Sequence, residues 1–188
     1  GLSPWMQKLP GGLIHVNVVG CALFAAISGS SAATVATVGK MSIPELRKRK
    51  YPEKILLGSL AGSGTLGLLI PPSIILIIYG VTVQESIAKL FIAGIIPGIM
   101  IALIFMSYVI IWSLINKKSM PKYVENFSFL EKIRKSKQLL PVIILISAVI
   151  GSIYTGVATA TEAASLGVVG ALILSYFQKS LTIETFKQ

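Results

Sequence analysis

Four long stretches of the sequence carry almost no charge, and short charged segments separate them. These stretches are residues 9–39, 55–83, 90–116 and 139–177. A helix needs about 20 apolar residues to cross the hydrocarbon core of a bilayer, which is about 30 Å thick. Each stretch therefore has the length of a membrane-inserted segment. The pattern predicts an all-α polytopic membrane protein.

The first stretch, residues 9–39, has an unusual length for a simple crossing. It is long for one span and short for two spans joined by a turn. Lys8 precedes it and Lys40 follows it, so we expect both ends on the same side of the membrane. Its middle, residues 27–34, is rich in serine, glycine and alanine. This stretch predicts a re-entrant helical hairpin.

The second stretch, residues 55–83, is long enough to span the membrane but contains strong helix breakers. A Gly-Ser-Gly-Thr-Leu-Gly cluster over residues 62–67 is followed by Pro71 and Pro72. Each proline removes a backbone donor, and glycine lowers helix propensity. The sequence predicts a broken transmembrane helix with an unwound centre.

The last two stretches are simpler. Residues 90–116 predict a plain span, and residues 139–188 hold two short apolar helices that flank a Thr-Glu-Ala segment. Glu162 in that segment is the one acidic residue well inside apolar sequence. It is interpreted either as a helix cap or interfacial residue, or as a coupling or proton-binding group.

Composition supports lipid as the solvent of much of the chain. Hydrophobic residues make up 54% and charged residues 13% of the sequence, and the mean hydropathy is +0.81. Soluble domains carry about 25% charged residues. So much apolar surface is predicted to face a bilayer.

The net charge of +10 reflects the orientation of the chain. Most lysines and arginines fall in two basic loops, residues 40–54 and 117–137. Loops of this kind face the cytoplasm. The second loop also has the features of a surface helix beside anionic lipid, and the alternative is a solvated loop that only orients the chain. Neither loop interleaves basic and aromatic residues as nucleic-acid grooves do, so nucleic-acid binding is excluded.

The two interrupted segments are the candidates for function. Irregular backbone persists at membrane depth only where it is buried in protein or lines a wet cavity. Hydroxyl and carbonyl oxygens suit hard cations such as Na⁺, and helix N-termini suit carboxylates. The alternatives are small-residue helix packing for the first segment and a purely structural proline kink for the second.

Enzyme chemistry has few candidate groups in this sequence. It contains one cysteine, Cys21, one histidine, His15, and no aspartate. The single cysteine excludes an internal disulfide and a cysteine-based metal cluster. His15 is interpreted as a packing or interfacial residue. Trp5, Trp112 and Tyr79 fit anchoring at the membrane interface.

Several motifs resemble one transporter family. Residues 29–39, Gly-Ser-Ser-Ala-Ala-Thr-Val-Ala-Thr-Val-Gly, closely resemble the first hairpin of the large (M) subunits of TRAP transporters. Residues 64–73, with Pro-Pro-Ser, and residues 90–98 resemble the segments that follow it. Residues 156–164 are similar to the family's Gly-x-Ala-Thr-x-Thr-Glu-Ala-Ala segment, although many members have proline in place of Ala160.

The resemblance implies a specific kind of transporter. The family imports organic acids, such as C4-dicarboxylates or sialic acid, across the bacterial inner membrane. A Na⁺ gradient drives uptake, a periplasmic substrate-binding protein delivers the acid, and a small membrane (Q) subunit, separate or fused, completes the complex. Family members are inverted repeats that work as elevators, in which a transport domain slides against a scaffold.

By the same resemblance the chain divides into three parts, and it is expected to be an N-terminal-half fragment of the large subunit. Residues 1–83 would be half of the transport domain, with the hairpin, the first basic loop and the broken span. Residues 84–138 would hold the plain span and the second basic loop. Residues 139–188 would lead towards a second repeat that is not present.

The resemblance also assigns roles to the two interrupted segments. The expected Na⁺ ligands are Ser31, Thr34, Gly64, Thr65 and Gly67. The expected substrate contacts are Ser28, Gly29, Ser30, Ser31, Pro71 and Pro72. Three alternatives stay open: a carboxylate/Na⁺ symporter without a binding protein, a structural membrane subunit without its own site, and, least favoured, a membrane enzyme.

Overall fold

The computed structural model describes residues 2–121 and 128–177. These residues fall into two compact units, Gly1–Ser136 and Lys137–Gln188. Within the described ranges the chain is helical and contains no β-strand. The fold class predicted from the hydrophobic pattern, an all-α protein with apolar helices, is confirmed at this level.

The first unit begins with a short helix and a helical hairpin. Helix α1 covers Ser3–Met6, α2 covers Ile14–Ser28 and α3 covers Ser31–Lys48. Gly29 ends α2 in the left-handed conformation, with φ of 59°, and its N–H donates to the Ala25 carbonyl at 3.0 Å. Glycine adopts this conformation without the steric cost of a side chain, so it is suited to reverse the chain within two residues.

The first basic segment is not a loop, and this part of the sequence prediction was wrong. Helix α3 continues through residues 40–48, and α4, Glu53–Gly64, begins a few residues later. The lysines, arginines, leucine and glutamate of this segment are good helix formers. Two exposed ion pairs, Arg47–Glu53 and Arg49–Glu45, each with an N–O distance of 2.6 Å, join its charged residues.

The break predicted within residues 55–83 is present. Helix α4 gives way to a 3-10 turn, Thr65–Leu68, and a connection of a turn and bends leads to α5, Ile74–Val83. The Pro71–Pro72 peptide bond in this connection is cis. Ser73 precedes α5 in an extended conformation, is fully buried and donates its hydroxyl to the Leu68 carbonyl at 2.6 Å.

Helix α6, Ile87–Ile115, follows and has 29 residues. At about 1.5 Å per residue it is about 44 Å long, more than the hydrocarbon core requires. Among the described residues it is the continuous helix whose length and composition allow a crossing. It starts slightly before the predicted span, residues 90–116, and Pro97 lies inside it.

The second basic segment is also partly helical. A 3-10 turn covers Lys117–Ser119, and α7 covers Phe129–Ser136. The indole of Trp5 donates to the Ser136 hydroxyl at 2.8 Å, and the Lys132 ammonium lies 5.4 Å from the centre of the same ring. Residues 122–127 of the predicted loop lie outside the described residues.

The second unit consists of two helices, α8 over Leu140–Tyr154 and α9 over Ala160–Phe177. They run antiparallel, with Gly167 beside Val149 and Gly170 beside Leu145. This agrees with the two short apolar helices predicted for the segment. Residues 178–188, which were expected to lead towards a second repeat, lie outside the described residues.

The core of the first unit lies at the base of the hairpin. Leu13 and Ile14 pack there against Leu46, Ile55 and residues of α6. His15 is fully buried and its Nε2 donates to the Pro10 carbonyl at 2.8 Å, in agreement with a packing role. The hairpin, α4 and the end of α6 therefore form one packed body.

Tyr51, in the connection between α3 and α4, holds the start of α2 at the base of this body. Its hydroxyl accepts the Leu13 N–H at 2.9 Å in a buried site. Burial raises the pKa of the Tyr51 phenol, so the hydroxyl stays neutral at physiological pH.

We predict that Tyr51→Phe lowers the free energy of unfolding by about 1–3 kcal/mol, because the buried Leu13 N–H loses its partner. Thermal unfolding of the full-length protein in detergent measures this. Tyr79→Phe is the matched control, since Tyr79 is 53% exposed. Equal melting temperatures for both variants would contradict the assigned hydrogen bond.

Candidate functional site

The two interrupted segments meet in the structure. We define the hairpin tip as residues 28–34 and the break as residues 65–73. The Ile74 N–H, just after the break, donates to the Gly29 carbonyl at 3.4 Å. A Cβ placed on Gly29 would lie 2.7 Å from the Pro72 carbonyl oxygen. Backbone approaches backbone here, which only glycine permits at this distance.

Gly67 makes a second close contact between the break and the hairpin tip. A Cβ on Gly67 would lie 2.8 Å from the Ser30 carbonyl carbon and 2.8 Å from the Ser31 nitrogen. These atoms belong to the backbone and have no rotamer by which to move away. A side chain at this position therefore requires the two segments to separate.

Hydroxyl groups hold the hairpin tip in shape. The Thr34 hydroxyl is fully buried and donates to the Ser30 carbonyl at 2.7 Å. The Ser28 and Thr34 oxygens lie 3.0 Å apart, within hydrogen-bond distance. Ser30 caps α3 by accepting the Ala33 N–H at 3.4 Å. The tip thus presents oxygens and amides on a rigid turn.

Four helix ends converge at this place. Helices α2 and α4 end at Ser28 and Gly64, while α3 and α5 begin at Ser31 and Ile74. Helix N-termini carry partial positive charge and C-termini partial negative charge. One region therefore offers both amides for an anion and carbonyls for a cation.

The expected site residues do not all face one another. The structure brings Gly29, Ser30 and Ser31 against Gly64, Gly67 and Pro72. Ser28 and Thr34 bond to each other within the hairpin tip. Thr65 lies on the exposed side, where its hydroxyl donates to the Gly62 carbonyl at 2.7 Å. Pro71 packs beside Gly94 of α6, with its Cγ 3.4 Å from where a Gly94 Cβ would lie.

Other residues support the site although the sequence reasoning gave them no role. A Cβ on Gly94 would lie 2.9 Å from the Leu69 carbonyl oxygen, and one on Gly98 would lie 2.9 Å from the Ile70 side chain. These glycines let α6 approach the break closely. Their Gly-x-x-x-Gly spacing is the signal that predicts such helix packing.

Asn17 was also missed. This fully buried amide on α2 donates to the Leu56 carbonyl at 3.2 Å and to the Ser59 hydroxyl at 3.1 Å. Ser63, one turn further along α4, donates its hydroxyl to the Ser59 carbonyl at 2.5 Å. A polar side chain within an apolar stretch of the sequence could have indicated this role, because a buried polar group needs a hydrogen-bond partner. These bonds fasten the hairpin arm to the helix that leads into the break.

Glu162 has a local structural role in the second unit. Its carboxylate accepts the Thr159 N–H and the Thr159 hydroxyl, both at 2.8 Å, and the Thr159 hydroxyl accepts the Glu162 N–H at 3.3 Å. This reciprocal pair is a capping box at the start of α9. The interpretation of Glu162 as a helix-capping residue is confirmed.

Among the described residues, histidine, cysteine, aspartate and glutamate side chains form no group of three that could hold a metal ion. The oxygens at the hairpin tip belong to hydroxyl groups and backbone carbonyls. This ligand type favours a hard ion over a transition metal.

Comparison with known proteins identifies the family. Residues 6–188 match the family described as the DctM component of tripartite ATP-independent periplasmic (TRAP) transporters. The chain belongs to this family. Its members are integral membrane permeases, in agreement with the apolar helices of the structure.

Three relatives illustrate the similarity. The C4-dicarboxylate TRAP transporter large permease protein DctM of Pseudomonas aeruginosa is 39% identical over 89% of this chain and 38% of its own length. The isethionate TRAP transporter permease protein DctMQ of Oleidesulfovibrio alaskensis is 38% identical over 92% of this chain and 27% of its own. The sialic acid TRAP transporter permease protein SiaT of Haemophilus influenzae is 37% identical over 93% of this chain and 28% of its own. The chain thus spans well under half the length of these relatives.

We predict that Gly67→Ala separates the hairpin tip from the break and lowers the free energy of unfolding by about 1–3 kcal/mol. Gly58→Ala is the matched control, because Gly58 lies in α4 and nothing lies within 4 Å of the added methyl. That control should be neutral or stabilising, since alanine favours helix over glycine by about 1 kcal/mol. Thermal unfolding of the full-length permease compares the two, and equal effects would refute the close approach.

Proposed function

We propose that this chain forms the first half of the substrate and ion site of a TRAP permease that couples organic-acid uptake to Na⁺. The convergence of four helix ends at the hairpin tip and the break carries this proposal. Hydroxyl and carbonyl oxygens near Ser31, Thr34, Gly64 and Gly67 would hold Na⁺. The N-termini of α3 and α5, with the ion, would neutralise the acid group of the substrate.

The lengths of the helices support a site at membrane depth. Helix α2 has 15 residues and is therefore about 22 Å long, shorter than a hydrocarbon core of about 30 Å. A hairpin whose base lies at the basic side would end inside the membrane. Interrupted backbone at that depth requires polar partners, and an ion with its substrate would provide them.

The relatives' names indicate the chemistry of the substrate. They state C4-dicarboxylate, isethionate and sialic acid. Each of these molecules carries a carboxylate or a sulfonate, so the shared feature is an anionic oxygen group. We propose that the substrate of this permease carries such a group. Helix N-termini and a bound cation suit a carboxylate and a sulfonate equally well.

The complete transporter would require further components. We propose a periplasmic substrate-binding protein and a small membrane (Q) subunit as partners, and a bacterial inner-membrane location with the basic segments 40–54 and 117–137 in the cytoplasm. The name DctMQ of one relative fits a fused small subunit. The second half of the site would come from an inverted repeat beyond this chain.

An elevator mechanism is consistent with the packing of the first unit. Asn17 and the glycine contacts fasten the hairpin to the broken helix. We propose that these elements move as one rigid half of the transport domain, so that the site crosses the membrane with them.

We predict that Ser31→Ala lowers Na⁺-driven uptake about tenfold, while membrane insertion stays normal. The change removes a hydroxyl oxygen near the proposed ion, and a hydrogen bond to a charged group contributes about 1.5–3 kcal/mol. Uptake of a labelled substrate by the full-length transporter in proteoliposomes measures the effect.

The chain offers matched controls. Thr65→Ala removes an exposed hydroxyl that bonds to the Gly62 carbonyl and faces away from the proposed ion, and Ser107→Ala removes an exposed hydroxyl that bonds to its own helix, α6. Both should transport normally. Wild-type Na⁺ dependence in Ser31→Ala would instead favour a structural membrane subunit without its own site. Uptake without any binding protein would favour an independent carboxylate/Na⁺ symporter.

A further inference from the structure

A cavity of about 280 Å³ lies at the base of the first unit, away from the hairpin tip. Three parts of the chain line it: the segment before α2, the connection between α3 and α4, and the end of α6 with the turn that follows. The residues that matter are Gln7, Gly12, Tyr51, Ser113, Leu114 and Lys117. With about 30 Å³ for each water in the liquid, the cavity has room for a group much larger than one water.

Its position corresponds to the level of lipid headgroups. Helix α6 ends at Ile115, and the turn Lys117–Ser119 follows directly. Lysines just beyond a span lie at the membrane surface and attract anionic lipid. Leu114 lines the cavity and is 47% exposed, and Ile111, on the same face of α6, is 58% exposed. An apolar track therefore runs from the cavity along the helix.

The charge of the cavity is positive. Among the described residues that line it, Lys117 is the charged one, and none is a carboxylate. Within the part of the chain that the structure describes, the ion pairs involve Arg47 and Arg49 and not Lys117. A cationic wall without a carboxylate selects an anion rather than a metal ion.

Two hydroxyl groups add hydrogen-bonding capacity. Tyr51 accepts the Leu13 N–H, which leaves its own proton for another acceptor. Ser113 is 4% exposed, and its hydroxyl has no hydrogen-bond partner among the residues that the structure describes. A buried polar group without a partner is uncommon and calls for an unseen ligand or water.

Glycines keep this region open. Gly11 and Gly12 both have positive φ, 102° and 53°. A Cβ on Gly12 would lie 2.5 Å from the Tyr51 hydroxyl, and one on Gly11 would lie 3.1 Å from the Ser113 hydroxyl. Side chains at these two positions would cover the Tyr51 and Ser113 hydroxyls. The glycines therefore leave both hydroxyls accessible from the cavity.

We propose that this cavity binds the phosphate of an anionic phospholipid, with an acyl chain along Leu114 and Ile111. Lys117 pairs with the phosphate, and the Tyr51 and Ser113 hydroxyls donate to its oxygens. The apolar track distinguishes a phospholipid from free inorganic phosphate, which would gain nothing from it. The site is separate from the proposed transport site and holds the base of the hairpin against α6.

The test uses the full-length permease in nanodiscs and measures lipid retention by native mass spectrometry, with thermal unfolding as a second readout. Comparing nanodiscs of anionic phosphatidylglycerol with nanodiscs of zwitterionic phosphatidylcholine distinguishes an effect of lipid charge from a general effect of lipid. Inorganic phosphate added to detergent-solubilised protein tests whether a free anion binds without a lipid.

We predict that Lys117→Gln weakens retention of phosphatidylglycerol about tenfold and abolishes the extra thermal stability that this lipid gives. Lys118→Gln is the matched control, since it makes the same charge change on the next residue, outside the cavity. It should behave as wild type. Equal losses in both variants would overturn the proposal, because they would indicate a diffuse charge effect.

Ser113→Ala tests the buried hydroxyl. It should weaken phosphatidylglycerol retention several-fold, whereas Ser107→Ala, on the exposed face of α6, should not. Unchanged retention in Ser113→Ala, a thermal shift with inorganic phosphate alone, or a protein segment filling the cavity in the full-length structure would each overturn the proposal.

Discussion

The structure depends on close backbone contact between the hairpin tip and the break. Interrupted helices leave peptide groups without intrahelical partners, and in a hydrocarbon environment each such group costs several kcal/mol. Here the peptide groups of the hairpin tip lie against those of the break, as in the bond from the Ile74 N–H, just after the break, to the Gly29 carbonyl. Gly29 and Gly67 make this possible because any side chain there would meet backbone atoms.

The surrounding helices preserve this contact. Asn17 ties the first hairpin arm to α4, and Gly94 and Gly98 bring α6 against the break. The polar bonds fix the register of the helices, while the glycines set their spacing. The proposed ion site consists of uncharged oxygens and amides, and it would have the precision that ion binding requires only if such supports hold it rigid. In the first unit, the helices therefore hold two irregular segments, the hairpin tip and the break, in fixed positions.

The two ends of the first unit have different chemistry. The hairpin tip and the break carry small residues and helix ends, without a charged side chain among the residues in contact there. The base carries the basic residues, the ion pairs, the Tyr51 bond and the cavity beside Lys117. In the proposed orientation this division would place charge at the aqueous surface and neutral polar groups at depth, which is the distribution of lowest solvation cost.

Much was predictable from the sequence, because the determinants are local. Apolar length, the Ser-Gly run, the double proline and the span in residues 90–116 indicated the helices, the turn and the break within a few residues. The basic segment of residues 40–54 was mistaken for a loop, since charge indicates the side of the membrane and not the backbone conformation.

Only the tertiary structure decided that Thr65 turns outward, that Pro71 faces α6 and that Asn17 bridges two helices. Those facts depend on which helix faces meet across long sequence separations, and residue type alone does not fix that choice.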